Sequence, residues 1–191
     1  VVALQGGKPI LVSSMSFQVP SRGDDYQPVM PDVPPPESLA SERELSLEAG
    51  NLDESFMITT GEDLDIRVVD PVNWESPSPR EPILQAWMKT TGPLPDRAGL
   101  HQSVLAYLSD AFLIDVCLVV HGRHFDGADF QVASLDHAMW FHEPFRADEW
   151  LLHIVEAERI SGGRGLARGS FYTREGRLVA TTMQQGVMRF R

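Results

Sequence analysis

Hydrophobic residues at the start of the chain follow a pattern that is typical of β-strands. The stretches VVAL and ILVSSMSFQV flank the turn sequence QGGKP, and this arrangement predicts a β-hairpin over residues 1–19. A two-stranded hairpin is only marginally stable on its own in water. We therefore expect these strands to need partner strands from another part of the molecule.

Residues 20–60 lack this pattern and are rich in Pro, Ser and acidic side chains. Such a composition is typical of a linker, and we assign residues 21–60 to one. Within it, Ser41 is followed three residues later by Glu44, which is the spacing of a capping box. This spacing predicts one short helix near residues 41–48.

From residue 61 onward the pattern is that of a globular domain. The segments 64–70 and 82–90 are strand candidates. Asp96 precedes the run RAGLHQSVLAYLSDAFLI and is predicted to cap a helix that continues through it. On a helical wheel, the apolar stripe of this run consists of Leu100, Val104, Leu108, Ala111 and Phe112.

The remainder of the chain has mainly the character of β-structure. Strand-like segments, separated by the turns SGGR and REGR, occupy residues 129–142, 149–160, 165–174 and 177–190. One apolar helix followed by a multi-strand antiparallel meander predicts an α+β fold in which the sheet wraps around the helix.

The composition narrows the possible functions. A formal net charge of −11 over 191 residues argues against general affinity for nucleic acid. The longest apolar run, 112–120, contains Asp115 and is too short to span a membrane. The single cysteine, Cys117, excludes an internal disulfide, suits the cytoplasm and is expected to be a small buried hydrophobe. No His or Cys pair has convincing zinc spacing, so we expect no metal site. No GxSxG motif occurs, so serine hydrolase chemistry of the α/β type is unsupported.

Four segments of the globular part resemble a known family. HQSVLAYLSD, SLDHAMWFHEPFRADEWLLH, SGGRGLARG and LVATTMQQGVMR are together similar to the C-terminal half of the type II, TesB-like acyl-CoA thioesterases, which are double-hotdog enzymes. The resemblance covers residues 61–191 well and residues 1–19 more loosely. It implies that residues 1–20 are the last hairpin of a truncated first hotdog and that residues 61–191 are a second, catalytic hotdog. Because a full member carries a long further N-terminal stretch, we expect this chain to be truncated at its N-terminus.

The double hotdog also accounts for a short sequence that occurs twice. LVSSMSF at 11–17 aligns with LVATTMQ at 178–184, which places Phe17 opposite Gln184. A phenylalanine side chain forms no hydrogen bond to a water or a carbonyl group. If the two halves are duplicates, the first copy is therefore the silent site and the second is the working one.

The resemblance assigns catalytic roles to Asp110, Ser134 and Gln184. From the residues alone, Asp110 lies at the margin of the apolar helical stripe and is either a solvated flank residue or a partly buried carboxylate. Ser134 matches a family position that is often Thr, and Ser keeps the hydroxyl group. Without the resemblance, Ser134 is equally a strand serine bonded to backbone and Gln184 a surface glutamine.

Strand alternation predicts which side chains share a face. In an extended VASLDHAMW segment, one face carries Ser134, Asp136, Ala138 and Trp140, and the other carries Leu135, His137 and Met139. In the last strand Gln184 shares its face with Gly186, and Gln185 faces the opposite side. A register error of one residue would exchange the roles of the two glutamines.

The segment SGGRGLARG (161–169) is a candidate for binding the phosphates of coenzyme A. Guanidinium groups of Arg164 and Arg168 and backbone N–H groups are the donors that phosphates require. The alternative is a strand-connecting turn with solvated arginines. We include Gly186 with these two residues as a substrate-binding candidate.

The resemblance implies hydrolysis of fatty acyl-CoA by directly attacking water, without metal or cofactor, in a cytoplasmic homo-oligomer. Two alternatives stay open. One is a hotdog enoyl-CoA hydratase or dehydratase that uses His137 or His142 as its base; for these histidines and for His101, packed or surface positions are the ordinary alternative. The other is a non-catalytic fragment that binds acyl-CoA.

Overall fold

The computed structural model describes residues 1–19, 21–50, 61–123 and 130–190. The end of the predicted linker (51–60), Pro20 and the first residue of the strand segment predicted over 129–142 lie outside the described residues. The helices are α1 (Glu42–Ala49), α2 (Ala98–Leu108) and α3 (Asp115–Val119), with a 3-10 turn at Pro36–Ser38. The strands are β1 (Val2–Gln5), β2 (Lys8–Val12), β3 (Leu64–Val68), β4 (Ile83–Thr90), β5 (Phe130–Ser134), β6 (Ala138–Phe141), β7 (Leu151–Ser161), β8 (Arg164–Thr173) and β9 (Leu178–Phe190).

One seven-stranded antiparallel sheet organises the globular part. Its order is β3-β4-β7-β8-β9-β5, and β6 pairs with β9 beside β5. The inner face packs against α2 and α3 through two clusters of buried apolar side chains, among them Leu105 and Leu108 of α2 and Val116 and Leu118 of α3. The α+β prediction is therefore confirmed.

The predicted N-terminal hairpin forms as a separate two-stranded sheet. β1 and β2 pair antiparallel, and among the described residues neither strand pairs with any other. Several of its large apolar side chains are exposed, including Leu4, Ile10, Leu11 and Val12, as is Phe17 beyond it. These exposed side chains agree with the expectation that the hairpin needs further partners.

The single helix predicted from Asp96 to residue 114 is wrong in two respects. Its N-cap is Arg97, without a side-chain cap hydrogen bond, while Asp96 lies 3.4 Å from the guanidinium of Arg146. The helix also stops at Leu108, and a turn separates it from α3. Phe112 in that turn has φ 71°, a left-handed conformation that a continuous right-handed helix excludes. Asp110 therefore lies in the turn after α2 and not within the helix.

The strand predicted over 129–142 is broken by a bulge. Ser134 pairs with Gly186 and Ala138 pairs with Met183, so four steps on this segment oppose three steps on β9. The backbone N–H groups of both Leu135 and Asp136 point to one acceptor, the Gln185 carbonyl. Because one residue is extra, strict alternation of faces fails between β5 and β6.

The capping box predicted at Ser41 and Glu44 is confirmed. The Ser41 hydroxyl accepts from the Glu44 backbone N–H, the Glu44 carboxylate accepts from the Ser41 N–H, and α1 follows directly. Gly50 ends α1 in the left-handed conformation, with φ 70°.

The proline-rich segment before α1 lies on the outer face of the sheet. We call residues 27–39 the strap. The Gln27 side chain donates to the Gly176 carbonyl and accepts from the Leu178 N–H, and the Pro34 carbonyl accepts from the Trp87 indole N–H at 2.9 Å. Met30, Val33 and Leu39 of the strap pack on a third apolar cluster of Trp87, Leu152, Ile154 and Tyr172. The strap therefore covers an apolar surface on the face of the sheet opposite to α2.

Among the described residues, no helix combines the length and the apolar character that crossing a membrane requires.

Candidate active site

Strands β5 and β9 bring two of the three predicted catalytic side chains into direct contact. The Gln184 Nε2 group donates a hydrogen bond to Ser134 Oγ at 2.7 Å. Gln184 is only 2% exposed, whereas Ser134, at the end of β5, is exposed. The buried amide therefore lies beneath a hydroxyl group that solvent or a ligand can reach.

A histidine extends this contact into the turn after α2. His137 Nδ1 lies 2.7 Å from Gln184 Oε1, and His137 Nε2 lies 2.9 Å from the Ser109 hydroxyl oxygen. Ser109 is fully buried at the C-cap of α2. Side-chain hydrogen bonds thus run without a gap from Ser134 through Gln184 and His137 to Ser109.

Asp110 follows Ser109 directly and is exposed. Its link to the Ser134–Gln184 pair is its position in the chain beside Ser109, whose hydroxyl oxygen lies 2.9 Å from His137 Nε2. Its carboxylate also acts on the neighbouring α3: burial, together with the charges of Asp110 and Glu42, raises the pKa of Asp115 to about 7.

The bulge between β5 and β6 is what admits His137 to the site. Alternation predicted that His137 and Ser134 face opposite sides of the strand, and this is wrong, since both side chains bond to Gln184. Asp136 turns instead to β9, where its Oδ1 accepts from the Gln185 backbone N–H at 2.9 Å. An extra residue reverses the alternation beyond it, which places the imidazole beside the glutamine.

The opposite facing of Gln184 and Gln185 is as the alternation of β9 predicts. Gln184 points inward, and the Gln185 side chain accepts a hydrogen bond from Arg164 at 2.8 Å on the other face. Gly186 pairs with Ser134 and shares the inner face with Gln184. A Cβ atom at Gly186 would overlap Cδ1 of Ile114, so this glycine lets the turn before α3 approach β9 closely.

The two arginines that were predicted to bind phosphate do not lie beside Gln184. Arg168 pairs in register with Met183, one position along β9 from Gln184, and donates to Glu156 and Glu158 at 2.7 and 3.0 Å. Arg164 lies in the β7–β8 turn region and donates to Gln185. Both guanidinium groups therefore occupy the face opposite the Ser134–Gln184 pair, and Arg168 already has two carboxylate partners.

The other polar candidates have ordinary structural partners. His101 Nδ1 accepts from the Ala147 backbone N–H, and His142 lies 2.8 Å from the Thr181 hydroxyl. Cys117 is buried, and burial raises the pKa of its thiol to about 11, which agrees with its prediction as an inert hydrophobe. Within the described ranges, no group of three His, Cys, Asp or Glu side chains is placed to hold a metal ion.

The remaining polar groups of the site suit the handling of a water molecule. After the contacts described above, Gln184 keeps one N–H donor and the Asp110 carboxylate is an acceptor at the exposed edge. A water held by such donors can transfer a proton to a carboxylate. Sequence reasoning missed Ser109 and the role of His137, because neither the bulge nor the end of α2 has a local signal.

Comparison with known proteins identifies a family and several similar sequences. The profile of a family described as acyl-CoA thioesterase matches residues 79–187. The chain is 34% identical to acyl-CoA thioesterase 2 of Haemophilus influenzae, covering 100% of this chain and 68% of that protein. It is also 34% identical to acyl-coenzyme A thioesterase 8 of Mus musculus, of which it covers 62%.

Solved structures agree with the sequence comparisons. The acyl-CoA thioesterase II TesB2 of Mycobacterium marinum superposes with a TM-score of 0.70 at 36% identity, over 91% of this chain and 60% of that one. A hot dog fold protein of Alicyclobacillus acidocaldarius, at 20% identity, superposes with a TM-score of 0.63 over 88% of this chain and 58% of that one. The sheet wrapped around α2 and α3 is thus a hotdog fold. The chain spans 68%, 62% and 60% of the length of the Haemophilus influenzae, Mus musculus and Mycobacterium marinum proteins, respectively.

Proposed function

Because the chain belongs to the acyl-CoA thioesterase family, we propose that it hydrolyses the thioester bond of fatty acyl-CoA to a free fatty acid and coenzyme A. The observation that carries the proposal is the 2.7 Å hydrogen bond between Gln184 and Ser134, joined through His137 and Ser109 to the turn that bears Asp110. This group combines donors and an acceptor at a surface that a thioester can reach.

The proposed reaction is a direct attack by water. Ser134 and Gln184 hold the water, and the Asp110 carboxylate accepts its proton as the oxygen bonds to the thioester carbon. The carbon–sulfur bond then breaks, and coenzyme A leaves as a thiolate. An alkyl thiol has a pKa of about 8.5, so the leaving group needs little help from an acid.

One observation disfavours the hydratase alternative. A base that removes or adds a proton at carbon needs a free ring nitrogen, and both nitrogens of His137 are already within 2.9 Å of Gln184 and Ser109 oxygens. His142, the other candidate base, bonds through Nε2 to the Thr181 hydroxyl. The contacts of His137 therefore support water-dependent hydrolysis over an addition that uses His137 as its base.

The test is release of free thiol from fatty acyl-CoA, followed with a thiol reagent. Cys117 is buried with a raised thiol pKa, so the signal from the folded protein itself is small. We expect Asp110→Asn to lower kcat by about 100-fold or more with an unchanged circular dichroism spectrum. Asp96→Asn is the matched control, since Asp96 is an exposed acid before the other end of α2.

The outcomes distinguish hydrolysis of acyl-CoA from hydration of enoyl-CoA and from binding of acyl-CoA without catalysis. Parent-like turnover by the Asp110→Asn variant would remove Asp110 from the chemistry. Binding of acyl-CoA by the parent without thiol release would instead favour the non-catalytic reading, and loss of enoyl-CoA absorbance would favour the hydratase.

We also propose that the protein works in the cytoplasm as a homo-oligomer. The free, buried Cys117 suits a reducing compartment. The exposed Leu4, Ile10 and Leu11 of the hairpin are apolar surface of the kind that subunit contacts bury. A monomeric mass by sedimentation at micromolar concentration would contradict the oligomer, and fractionation of the native cells would test the location.

A further inference from the structure

His137 connects the two sides of the candidate site, and within the described ranges each of its ring nitrogens has one oxygen partner. Nδ1 lies 2.7 Å from Gln184 Oε1 and Nε2 lies 2.9 Å from Ser109 Oγ. Both partners are buried, with Gln184 at 2% and Ser109 at 0% exposure. The roles of donor and acceptor along this chain therefore depend on where the imidazole carries its proton.

Ser109 has one hydroxyl proton and two candidate acceptors. Its Oγ lies 2.9 Å from the Ala106 carbonyl oxygen and 2.9 Å from His137 Nε2. If the proton points to Nε2, a neutral His137 carries its own proton on Nδ1. If the proton points to Ala106, the Ser109 oxygen is free to accept a hydrogen bond from Nε2–H.

The first arrangement fixes the direction of the whole chain of hydrogen bonds. Nδ1–H donates to Gln184 Oε1, and the NH₂ group of Gln184 therefore faces Ser134, which matches the observed Nε2 to Oγ contact of 2.7 Å. Since Ser134 accepts that bond, its own hydroxyl proton stays available. A His137 that is protonated on both nitrogens leaves the amide in this same orientation.

The second arrangement reverses the chain. A neutral His137 with its proton on Nε2 presents a bare Nδ1, and a bare nitrogen facing the Gln184 carbonyl oxygen is repulsive. The amide would have to turn over, with its NH₂ group toward Nδ1. The Ser134 hydroxyl proton would then be used in a bond to Gln184 Oε1, and the site would lose that donor.

We propose that His137 is a positioning residue that orients the Gln184 carboxamide, so that Ser134 and Gln184 both present hydrogen-bond donors to the reacting groups. The proposal rests on the hydrolysis proposed above, because a held water or a developing oxyanion needs donors at this place. His137 acts through Gln184, and the reacting atoms are handled by Ser134, Gln184 and Asp110.

Two substitutions of His137 distinguish a role in orienting the Gln184 carboxamide from a role in packing. His137→Leu fills similar space but has no donor, and we expect it to lower kcat by about 10- to 50-fold with KM within about threefold. His137→Asn keeps an N–H near the position of Nδ1, and we expect it to recover kcat to within about fivefold of the parent. His142→Leu is the matched control, because it removes an exposed histidine bonded to Thr181 on the same β9 strand.

Nitrogen-15 NMR of histidine-labelled parent protein tests the direction of this chain of hydrogen bonds without an activity assay. At pH 8 we expect the Nδ1 resonance of His137 to have the chemical shift of a protonated ring nitrogen. A bare Nδ1 would overturn the proposal, as would parent-like kcat in His137→Leu or an Asn variant as slow as the Leu variant. If the parent protein releases no thiol at all, hydrolysis fails as the function, and the NMR result alone then decides the orientation of Gln184.

Discussion

The stability of this protein should depend on pH through one buried histidine. His153 on β7 is 0% exposed, and its ring stacks on Phe171 with centroids 3.9 Å apart. Neither ring nitrogen has a hydrogen-bond partner within the described part of the chain. Burial, together with the smaller effect of the nearby His137, lowers the pKa of His153 from 6.5 to about 3. The folded state therefore holds this imidazole neutral across the mildly acidic range.

The direction in which the free energy of unfolding changes with pH follows from proton binding. Between the unfolded pKa of 6.5 and the folded pKa of about 3, the unfolded chain takes up a proton that the folded chain does not. The free energy of unfolding therefore falls as the pH is lowered through this window. From pH 8 to pH 5.5 the expected loss due to His153 is about 1.4 kcal/mol.

The measurement is urea unfolding of the parent and of His153→Leu at both pH values. We chose pH 5.5 because the isoelectric point is near 4.9, where low net charge promotes association. We expect the stability difference between parent and variant to change by about 1.4 kcal/mol, or about 0.5–0.7 M in midpoint for m-values of 2–3 kcal/mol/M. His121→Gln, at the exposed end of α3, is the control. A parent–variant difference that is equal at both pH values would refute the reasoning.

Two further predictions concern β8 and β9. Gly186→Ala should reduce the free energy of unfolding by about 1–3 kcal/mol, because the new methyl group overlaps Ile114 Cδ1. Chemical denaturation measures this loss of stability, and the double variant with Ile114→Ala should regain part of the lost free energy. Arg168→Ala should leave KM for acyl-CoA within about twofold, because Glu156 and Glu158 already engage its guanidinium on the face away from Gln184. A KM increase above tenfold would restore Arg168 as a phosphate ligand.

The elements that sequence reasoning predicted are those with strong local signals. The hairpin turn has glycines at positive φ, at Gly6 and Gly7, and the capping box at Ser41 fixes the start of α1. Long regular alternation predicted that Gln184 and Gln185 face opposite sides, and the resemblance selected Gln184 as the residue of the site. The resemblance added the pairing of Gln184 with Ser134, which lie 50 positions apart and which no local pattern connects.

The features that sequence reasoning missed depend on tertiary contacts. No Gly or Pro marks the end of α2; the chain turns at Phe112, whose side chain packs against both inner apolar clusters, and that burial compensates for an unfavourable backbone conformation. The bulge before β6 exists because Asp136 and Leu135 bond to Gln185 on another strand. His137 could therefore be placed beside Gln184 only once the register with β9 was known.

The strap sets the smallest piece of this chain that can be expected to fold. A recombinant fragment cut at Gly61, where composition turns globular, would leave Trp87, Leu152, Ile154 and Tyr172 without the cover of Met30, Val33 and Leu39. Such a fragment would expose an apolar patch to solvent and would be prone to aggregate. A recombinant fragment should therefore begin before Gln27. Proteolytic cleavage within the strap should destabilise the folded state.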